Sequence, residues 1–497
     1  MMMRNLAAIS LALLGSTAVL NAMVQLHPLF STGAVLQANV PVPIWGTGDD
    51  GEEVTVRIQD QKVSTRVKAG KWMLELRPLK AGGPFPLTIQ GENRIEVNDV
   101  LVGEVWLCSG QSNMAFQLSR AENATEAIAG AKDSDLRFFS VPHQASDTPM
   151  TTVQAKWVQS TAESAATFSA VAYFFGRELR RVRGVPIGLI DSSVGGTPAE
   201  AWTSRETLEK DPELSRILES YAQSLKSYNP QRAKAAFEKA TLTHKARAAE
   251  ARARGEASPA MPRLAGNPAK TNKRPCGLYN AMIAPLRPFA IKGVIWYQGE
   301  GNANRWAEYQ RLFPAMIQNW RSAWDNPTLP FLFVQIAPHE RMIPEIREAQ
   351  LLTAQRVPHT AMVVITDAGD ARDIHPKRKQ IVGERLALCA RAIAYNEKVE
   401  YSGPTLREMT VDGNKVLLTF AHASGGLVAK GGPLRGFEVA GADHQFAPAN
   451  AVIDGNKVIV SSGSVPKPVD VRYGWKSVPD LNMFNTVGLP ASPFRTR

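Results

Sequence analysis

One serine stands where an apolar run ends abruptly and polar residues begin. The apolar residues 105–108 lead into Ser-Gly, and Gln111, Ser112 and Asn113 follow at once. A serine hydroxyl at the tip of such a turn is a candidate nucleophile for attack on a carbonyl carbon. A strand end followed by an ordinary turn gives the same pattern. A serine nucleophile also needs a general base, a group that orients the base, and donors that stabilise an oxyanion.

One of the eight histidines lies in a setting that suits a general base. His375 is part of Asp373-Ile374-His375-Pro376, just ahead of a segment with apolar residues at helical spacing. Pro376 suits the first position of that helix, which would fix the His375 side chain near its N-terminus. The Asp373 carboxylate can bind the second ring nitrogen and set the imidazole tautomer. A histidine that caps the helix, beside a solvated Asp373, is the alternative interpretation.

Oxyanion donors are expected in two more polar loops that follow apolar runs. Gly195 and Gly196 come after the run of residues 187–191, which is apolar up to Asp191, and a glycine lets a backbone N–H approach a substrate closely. Asn302 follows a second run and offers a side-chain amide. Each loop alone is a common pattern. Four such stretches, each after a candidate strand of one sheet, indicate a catalytic site.

The chain between residues 101 and 399 alternates short apolar runs with longer helical patterns. The runs cover residues 102–107, 187–191, 291–297, 331–336 and 362–365, and the helical patterns cover 168–183, 307–324, 345–356 and 376–395. This alternation predicts an α/β domain, with a parallel sheet covered by helices on both faces. Such sheets place their chemistry just beyond the carboxyl ends of the strands.

Two β-rich regions flank this domain. Residues 23–100 and 400–497 alternate apolar and polar side chains in short runs, which predicts an N-terminal and a C-terminal β domain. Residues 46–51 match the dinucleotide-binding pattern G-x-G-x-x-G, but that pattern needs a helix after it. A strand-like segment follows instead, so we interpret these residues as a hairpin turn.

Residues 206–275 have a helical and basic composition and are predicted to be an insertion within the α/β domain. The net charge of the 497-residue chain is +11, and residues 231–276 hold eleven Lys or Arg against three Glu. Nucleic-acid binding is not expected, because this segment has no aromatic residue after Phe237 on which bases would stack. We interpret it as a solvated helical insertion, with adhesion to an anionic surface as the alternative.

Residues 1–22 have the layout of a secretory signal peptide. Arg4 precedes the apolar residues 6–14, and small residues follow. An uncleaved anchor is the alternative, although the apolar part is short for a membrane span. We therefore expect a secreted or periplasmic protein with no membrane span after signal cleavage. Three cysteines form an odd and sparse set that argues against a disulfide scaffold: Cys108, Cys276 and Cys389.

The four polar stretches, in their order, resemble the four sequence blocks of the SGNH hydrolase superfamily. The likeness is greatest to its carbohydrate-esterase branch, which sialate O-acetylesterase typifies. The matching pieces are Gly110-Gln111-Ser112-Asn113-Met114, Gly195-Gly196-Thr197, Trp296-Tyr297-Gln298-Gly299-Glu300 and Asp373-Ile374-His375-Pro376. The likeness extends from about residue 26 to the end and leaves out residues 206–275. It implies the flavodoxin-like parallel sheet of that superfamily.

The resemblance also implies a role for each matching residue. Ser112 would attack the carbonyl, His375 would take and return a proton, and Asp373 would orient His375. The Ser112 N–H, an N–H of Gly195 or Gly196 and the Asn302 side chain would form the oxyanion hole, and Gln111, Gln298 and Glu300 would bind substrate or order the pocket wall. The spacing between Asp373 and His375 is one residue shorter than the spacing of aspartate and histidine in many other branches of the superfamily. Asp370 and Glu300 therefore stay open as assisting carboxylates.

The function implied by the resemblance is a carbohydrate O-acetylesterase that works through an acetyl-enzyme. We expect no cofactor and no metal, because the chemistry needs none and the sequence has no metal-ligand cluster. Acetylated sialic acid is one expected substrate, and acetylated xylan or pectin is the alternative. Val194 and Gly301 are smaller than the residues this branch often has there, so the sugar stays open. A carbohydrate-binding protein with a degenerate site is the second hypothesis.

Overall fold

The structure is a computed structural model that describes residues 23–496. The signal peptide predicted for residues 1–22 lies outside the described residues. In residues 23–496, no helix combines the length and the apolar content needed to cross a membrane. Cys108, Cys276 and Cys389 are free and buried.

The first part of the chain consists of short strands that form two layers. These strands are β1 (Gln25–Leu26), β2 (Val35–Gln37), β3 (Val42–Thr47), β4 (Glu53–Ile58), β5 (Gln61–Arg66), β6 (Lys71–Leu76), β7 (Gly82–Gln90) and β8 (Arg94–Gly110). One sheet contains β1, β3 and β6, whereas β4, β5 and β7 connect with β8 in a second sheet. The hairpin predicted at residues 46–51 is therefore wrong. This turn instead leads from β3 in one sheet to β4 in the other. Ile44 of β3 and Val56 of β4 are both buried in the core between the two sheets.

The central sheet follows from the alternation seen in the sequence. Its remaining strands are β9 (Asp133–Ser140), β10 (Trp157–Ser160), β11 (Ile187–Ser193), β12 (Gly293–Tyr297), β13 (Phe331–Val334) and β14 (Thr360–Val363). The strand order is β10-β9-β11-β8-β12-β13-β14. All neighbours pair in parallel except β10, which pairs antiparallel with β9 at one edge. The carboxyl ends of the parallel strands therefore meet at one edge of the sheet.

Strand β8 belongs to two parts of the structure at once. Its first half pairs antiparallel with β7, and its second half pairs in parallel with β11 and β12. The boundary that we placed at residue 100 thus falls inside a continuous strand of 17 residues. The N-terminal β region is joined to the central sheet by an unbroken backbone.

Helices cover both faces of the central sheet. The helices of the described residues are α1 (Ala124–Ala129), α2 (Ala162–Thr167), α3 (Ala170–Arg183), α4 (Arg205–Lys210), α5 (Pro212–Ser227), α6 (Pro230–Ala253), α7 (Trp306–Ala323), α8 (Pro344–Arg356) and α9 (Lys379–Ile393). Trp106 and Cys108 face the core that contains α3 and α9. Val105 and Leu107 face the opposite core, which contains α7 and α8. Strands buried on both faces appear in a sequence as unbroken apolar runs, which explains why these strands were predictable.

Two predicted helical segments differ in detail from the structure. The insertion at residues 206–275 is helical from α4 to α6, but residues 254–275 contain no α-helix. Helix α9 begins at Lys379, so the prediction that Pro376 is its first residue is wrong. The Lys377 carbonyl accepts the N–H groups of Glu122 and Lys379, and this holds the segment that carries His375 as a loop.

The C-terminal part of the chain is again rich in strands. They are β15 (Thr405–Asp412), β16 (Lys415–Ala421), β17 (Leu427–Ala429), β18 (Phe437–Ala440), β19 (Ala447–Pro448), β20 (Asn450–Asp454), β21 (Lys457–Ser461), β22 (Asp470–Tyr473), β23 (Met483–Asn485) and β24 (Phe494–Arg495). Two sheets of four strands and one pair of strands are formed, all with antiparallel pairing. Arg495 binds the Glu348 carboxylate of α8 with two hydrogen bonds, which ties the chain's last strand to the helical layer.

Candidate active site

Four loops meet at the carboxyl edge of the central sheet. They follow β8, β11, β12 and β14, and they carry the four polar stretches identified in the sequence. The loop after β8 turns sharply, because Gly110 has φ +141° and the Gln111 N–H donates to the Tyr297 carbonyl of β12. This turn brings Ser112 to the surface of the sheet edge, where its side chain is half-buried.

Ser112 and His375 lie within hydrogen-bond distance of each other. The Ser112 Oγ is 2.8 Å from the His375 Nε2, although the two residues are 263 positions apart in the chain. Phe116 stacks near the imidazole, with ring centroids 6.5 Å apart. A hydroxyl that is hydrogen-bonded to an imidazole is the basic arrangement of a serine nucleophile and its general base.

Asp373 lies near His375 but does not bind its ring. The Asp373 Oδ1 is 3.8 Å from the His375 Nδ1, beyond a hydrogen bond, and the Asp373 side chain is 52% exposed. The same oxygen accepts the backbone N–H of His375 at 2.9 Å. Asp370 in turn accepts the N–H groups of Arg372 and Asp373, so it orders the loop. The orienting role predicted for Asp373 therefore stays a prediction.

Three backbone N–H groups in the loops after β8 and β11 are free to donate. No hydrogen-bond acceptor for the N–H of Ser112, Gly195 or Gly196 is found within residues 23–496. Gly195 lies against the serine, because a Cβ placed on it would be 3.5 Å from the Ser112 Cβ. Gly196 has φ +69°, a left-handed conformation that glycine adopts without strain. Unpaired N–H groups beside a nucleophile are suitable donors for an oxyanion.

The side chain of Asn302 is held in a buried network that we did not predict. Its Oδ1 accepts from the Ala199 N–H at 2.9 Å and from the Gln298 Nε2 at 2.7 Å. Its Nδ2 donates to the Glu200 carboxylate at 2.9 Å. Asn302 makes no hydrogen bond with Ser112. Its role as an oxyanion donor stays a prediction, whereas its contacts within the wall of the site are visible.

The side chains predicted to bind substrate each make hydrogen bonds within the wall of the site. The Gln111 Oε1 accepts from the Gly301 N–H at 3.1 Å, which joins the loops after β8 and β12. Gln298 is fully buried, so it orders the wall and is not exposed to a substrate. Glu300 has one carboxylate oxygen, Oε2, that is buried without a hydrogen-bond partner in the described residues. Burial raises the pKa of Glu300.

Two residues of the site have contacts that the sequence does not predict: Asn113, which it places beside Ser112 without a role, and Lys379. Asn113 donates from its Nδ2 to the Glu300 Oε1 at 2.7 Å and to the Ile374 carbonyl at 3.0 Å. Lys379 is fully buried and donates to the Asn113 Oδ1. The signals were present, because Asn113 follows the serine and Lys379 lies four residues after His375. A lysine near a histidine is, however, too common a pattern to indicate burial.

The electrostatic surroundings favour a neutral imidazole. Burial lowers the pKa of His375, the charge of Lys379 lowers it further, and Asp373 raises it. A neutral imidazole at neutral pH can accept a proton, as a general base must. Within residues 23–496, no group of three or more His, Cys, Asp or Glu side chains could hold a metal ion.

Comparison with known proteins identifies relatives of this chain. The family model described as carbohydrate esterase, sialic acid-specific acetylesterase matches residues 265–390. Sialate O-acetylesterase of Rattus norvegicus is 31% identical, with 91% of this chain and 90% of the relative covered. The Homo sapiens enzyme is 34% identical, with 76% of this chain and 72% of the relative covered.

A solved structure is similar over nearly the whole chain. The crystal structure of a carbohydrate acetylesterase from Xanthomonas citri has 38% sequence identity and a TM-score of 0.81, and it covers 96% of this chain and 100% of its own. The relatives and the serine–histidine site together define a carbohydrate esterase, a carboxylic ester hydrolase. More narrowly, the chain belongs to the sialate O-acetylesterase family.

Proposed function

We propose that this esterase removes acetyl groups from sugar hydroxyls through a covalent acetyl-enzyme on Ser112. The observation that carries the proposal is the 2.8 Å separation between the Ser112 Oγ and the His375 Nε2. This pair lies at the carboxyl edge of a parallel sheet, where α/β proteins place their chemistry. The resemblance to relatives described as sialate O-acetylesterase and carbohydrate acetylesterase supports the acetyl ester as the reacting group.

The reaction would proceed in two halves. In the first, the Ser112 Oγ attacks the acetyl carbonyl carbon while His375 takes the hydroxyl proton, and His375 then gives that proton to the departing sugar oxygen. In the second, a water molecule attacks the acetyl-enzyme, His375 takes the water proton, and acetate leaves as the proton returns to Ser112. The free N–H groups of Ser112, Gly195 and Gly196 would stabilise the oxyanion in both halves.

We further propose the SGNH-hydrolase, flavodoxin-like arrangement for residues 101–399, with β-rich domains on either side. Support comes from the parallel strand order β9-β11-β8-β12-β13-β14, with loops of the site after β8, β11, β12 and β14. Export to the periplasm or the cell exterior is proposed from residues 1–22 alone. An analysis of the mature N-terminus after expression with residues 1–22 would test that export.

The sugar that carries the acetyl group defines two versions of the proposal. Acetylated sialic acid is favoured by the relatives described as sialate O-acetylesterase. Acetylated polysaccharide of the xylan or pectin type is the alternative, favoured by the neighbour described only as a carbohydrate acetylesterase. A carbohydrate-binding protein without turnover would be indicated by glycan affinity in the absence of acetate release.

The test is acetate release combined with a search for the acetyl-enzyme. The purified protein is mixed with p-nitrophenyl acetate, acetylated sialic acid and acetyl-xylan in parallel, and each reaction is quenched in acid within its first turnovers. We expect acetate release and a peptide containing Ser112 that is heavier by one acetyl group. Acetate release with no modified peptide at any quench time would contradict the covalent route. No release from any of the three esters would contradict the proposed function.

Asp373→Asn is expected to lower kcat by only about tenfold. A buried aspartate that bonds the imidazole of a serine hydrolase is worth about 10⁴-fold, because its amide replacement selects the wrong tautomer. Asp373 is half-exposed and 3.8 Å from the His375 Nδ1, so solvent screens it and no hydrogen bond is lost. Steady-state kinetics with p-nitrophenyl acetate would measure the effect, with Asp412→Asn, at an exposed aspartate of β15, as the matched control. A 10⁴-fold loss would instead show that Asp373 closes onto the ring during turnover.

A further inference from the structure

A lysine is buried directly behind the serine and the histidine. Lys379 is the first residue of α9, and its exposure to solvent is 0%. Its ammonium group lies 4.9 Å from the centroid of the Phe116 ring and 5.2 Å from that of the Tyr297 ring. In the described part of the chain, no carboxylate forms an ion pair with it, and the charges of Glu300 and Asp373 act on it from a greater distance. A buried ammonium without a carboxylate partner is energetically costly, so this position requires an explanation.

The polar contact of this lysine is the side-chain amide of Asn113. The amide oxygen accepts from Lys379, and the amide nitrogen donates to the Glu300 Oε1 at 2.7 Å and to the Ile374 carbonyl at 3.0 Å. An ammonium group only donates and a carboxylate only accepts, so the two charges decide which way the amide points. In that orientation, the amide joins the turn of the serine to the loop of the histidine.

We propose that Lys379 is a positioning residue for the hydrolytic reaction, whose charge locks the Asn113 amide in place and keeps the His375 imidazole in its neutral, basic form. The inference rests on the proposed function of Ser112 and His375. Lys379 is too deeply buried to touch a substrate. It acts through the hydrogen bond to Asn113 and through its electric field.

The field of Lys379 is one of several that act on the imidazole. The groups that face His375 are Ser112 after β8, Arg120 in the short turn Leu118–Arg120, His339 after β13, Asp373 in its own loop and Lys379 at the start of α9. The Asp373 carboxylate raises the pKa of His375, whereas Lys379, Arg120 and His339 lower it. Arg120 is exposed and Lys379 is buried. Solvent and salt therefore screen the charge of Lys379 less than the charge of Arg120.

The lysine itself is expected to titrate near neutral pH. Burial lowers the pKa of Lys379 to about 7, although the Glu300 and Asp373 carboxylates raise it; Arg120 lowers it slightly further. Above that pH the amine is neutral and can accept as well as donate, so one of the two charges that orient the Asn113 amide is lost. Activity should therefore rise with pH as His375 loses its proton and fall again as Lys379 loses its own, which gives a bell-shaped profile.

Lys379→Met tests the inference, because methionine keeps an unbranched stem of similar length without the charge or the donor. We expect the acid limb of the kcat/KM profile to move to higher pH by on the order of half a unit to one unit, since a nearby positive charge is removed. The fall at alkaline pH should disappear. A loss of kcat of about tenfold or more is expected with KM little changed, as for other residues that orient active-site groups.

The matched control is Lys377→Met, which makes the same chemical change two residues earlier on an exposed side chain. This control should keep the profile and the kcat of the unchanged protein. Lys379→Gln keeps an N–H donor but no charge, so it should show the same shift of the acid limb with a smaller loss of kcat. If circular dichroism shows that Lys379→Met does not fold, Lys379→Gln serves as the test variant instead.

A second measurement does not depend on turnover. The imidazole of His375 is titrated by NMR in the unchanged protein and in each Lys379 variant, with its signals assigned by their absence from His375→Ala. The midpoint should be higher in the variants. An imidazole titration and an acid limb that coincide with those of the unchanged protein would overturn the inference, because a lower kcat alone fits a packing defect. Absence of acetate release from the unchanged protein would count against the proposed function only.

Discussion

Ser112→Ala is expected to lower kcat for acetate release by about 10⁴-fold or more, because the serine and histidine of such a pair act as a unit. The substitution removes the oxygen that would form the acetyl-enzyme and leaves the His375 Nε2 without its partner at 2.8 Å. Stability should be unchanged, since the Ser112 side chain is only half-buried and its loss creates no closed cavity.

The measurement is acetate release from the best substrate at saturating concentration, with the thermal unfolding midpoint recorded for each protein. Ser119→Ala is the matched control, because Ser119 is an exposed serine seven residues further along the chain. It should keep both kcat and the midpoint. Undiminished acetate release by folded Ser112→Ala protein would contradict the proposed mechanism and indicate another nucleophile.

The central sheet was predictable because its strands are buried on both faces. Within residues 291–297 and 331–336, residues 294–297 and 331–334 are unbroken apolar runs, and they lie in the strands β12 and β13. Since parallel strands end at one edge, the prediction of these strands also placed Ser112 and His375 at the same edge. The pairing of two residues 263 positions apart is thus a consequence of sheet topology and not of local sequence.

The parts that could not be predicted depend on contacts between distant segments. The sequence predicts a hairpin at residues 46–51, since it does not reveal that Ile44 and Val56 face a common core from two sheets. Helix α9 was predicted to begin at Pro376, but the Lys377 carbonyl is engaged by the Glu122 N–H from another loop. Local propensity carries no information on either contact.

The hydrogen bonds of individual side chains in the candidate site could not be predicted from the sequence either. The sequence indicated Asn302 as a donor because of its type and its place after a strand. In the structure its Nδ2 donates to Glu200, a residue that no motif marks. The sequence does not indicate that Lys379 is buried, because lysine is almost always exposed and the burial depends on the rings of Phe116 and Tyr297.

Gly110→Ala is expected to lower the free energy of unfolding by about 3 kcal/mol or more, from overpacking and from backbone strain together. Gly110 has φ +141°, a conformation that a residue with a side chain rarely adopts. A Cβ at this position would lie 2.2 Å from the Tyr297 carbonyl oxygen, which is backbone and cannot move aside as a side chain can. The same oxygen accepts the Gln111 N–H at 2.9 Å, so relief of the clash would weaken that hydrogen bond.

Gly110→Ala should affect activity about as strongly as stability, because the added Cβ would push β8 away from β12 just before the turn that carries Ser112. A misplacement of about 1 Å in reacting groups commonly costs on the order of 100-fold in rate, so kcat should fall by that factor in protein that is still folded. Denaturant unfolding and kcat would be measured beside Gly130→Ala, where φ is −89° and an added Cβ would lie 3.6 Å from the Glu126 carbonyl oxygen. If both variants behave alike, the close approach of β8 to β12 does not position the nucleophile. If only Gly110→Ala loses activity, the position of Ser112 depends on a glycine that lets two strand backbones meet beneath it.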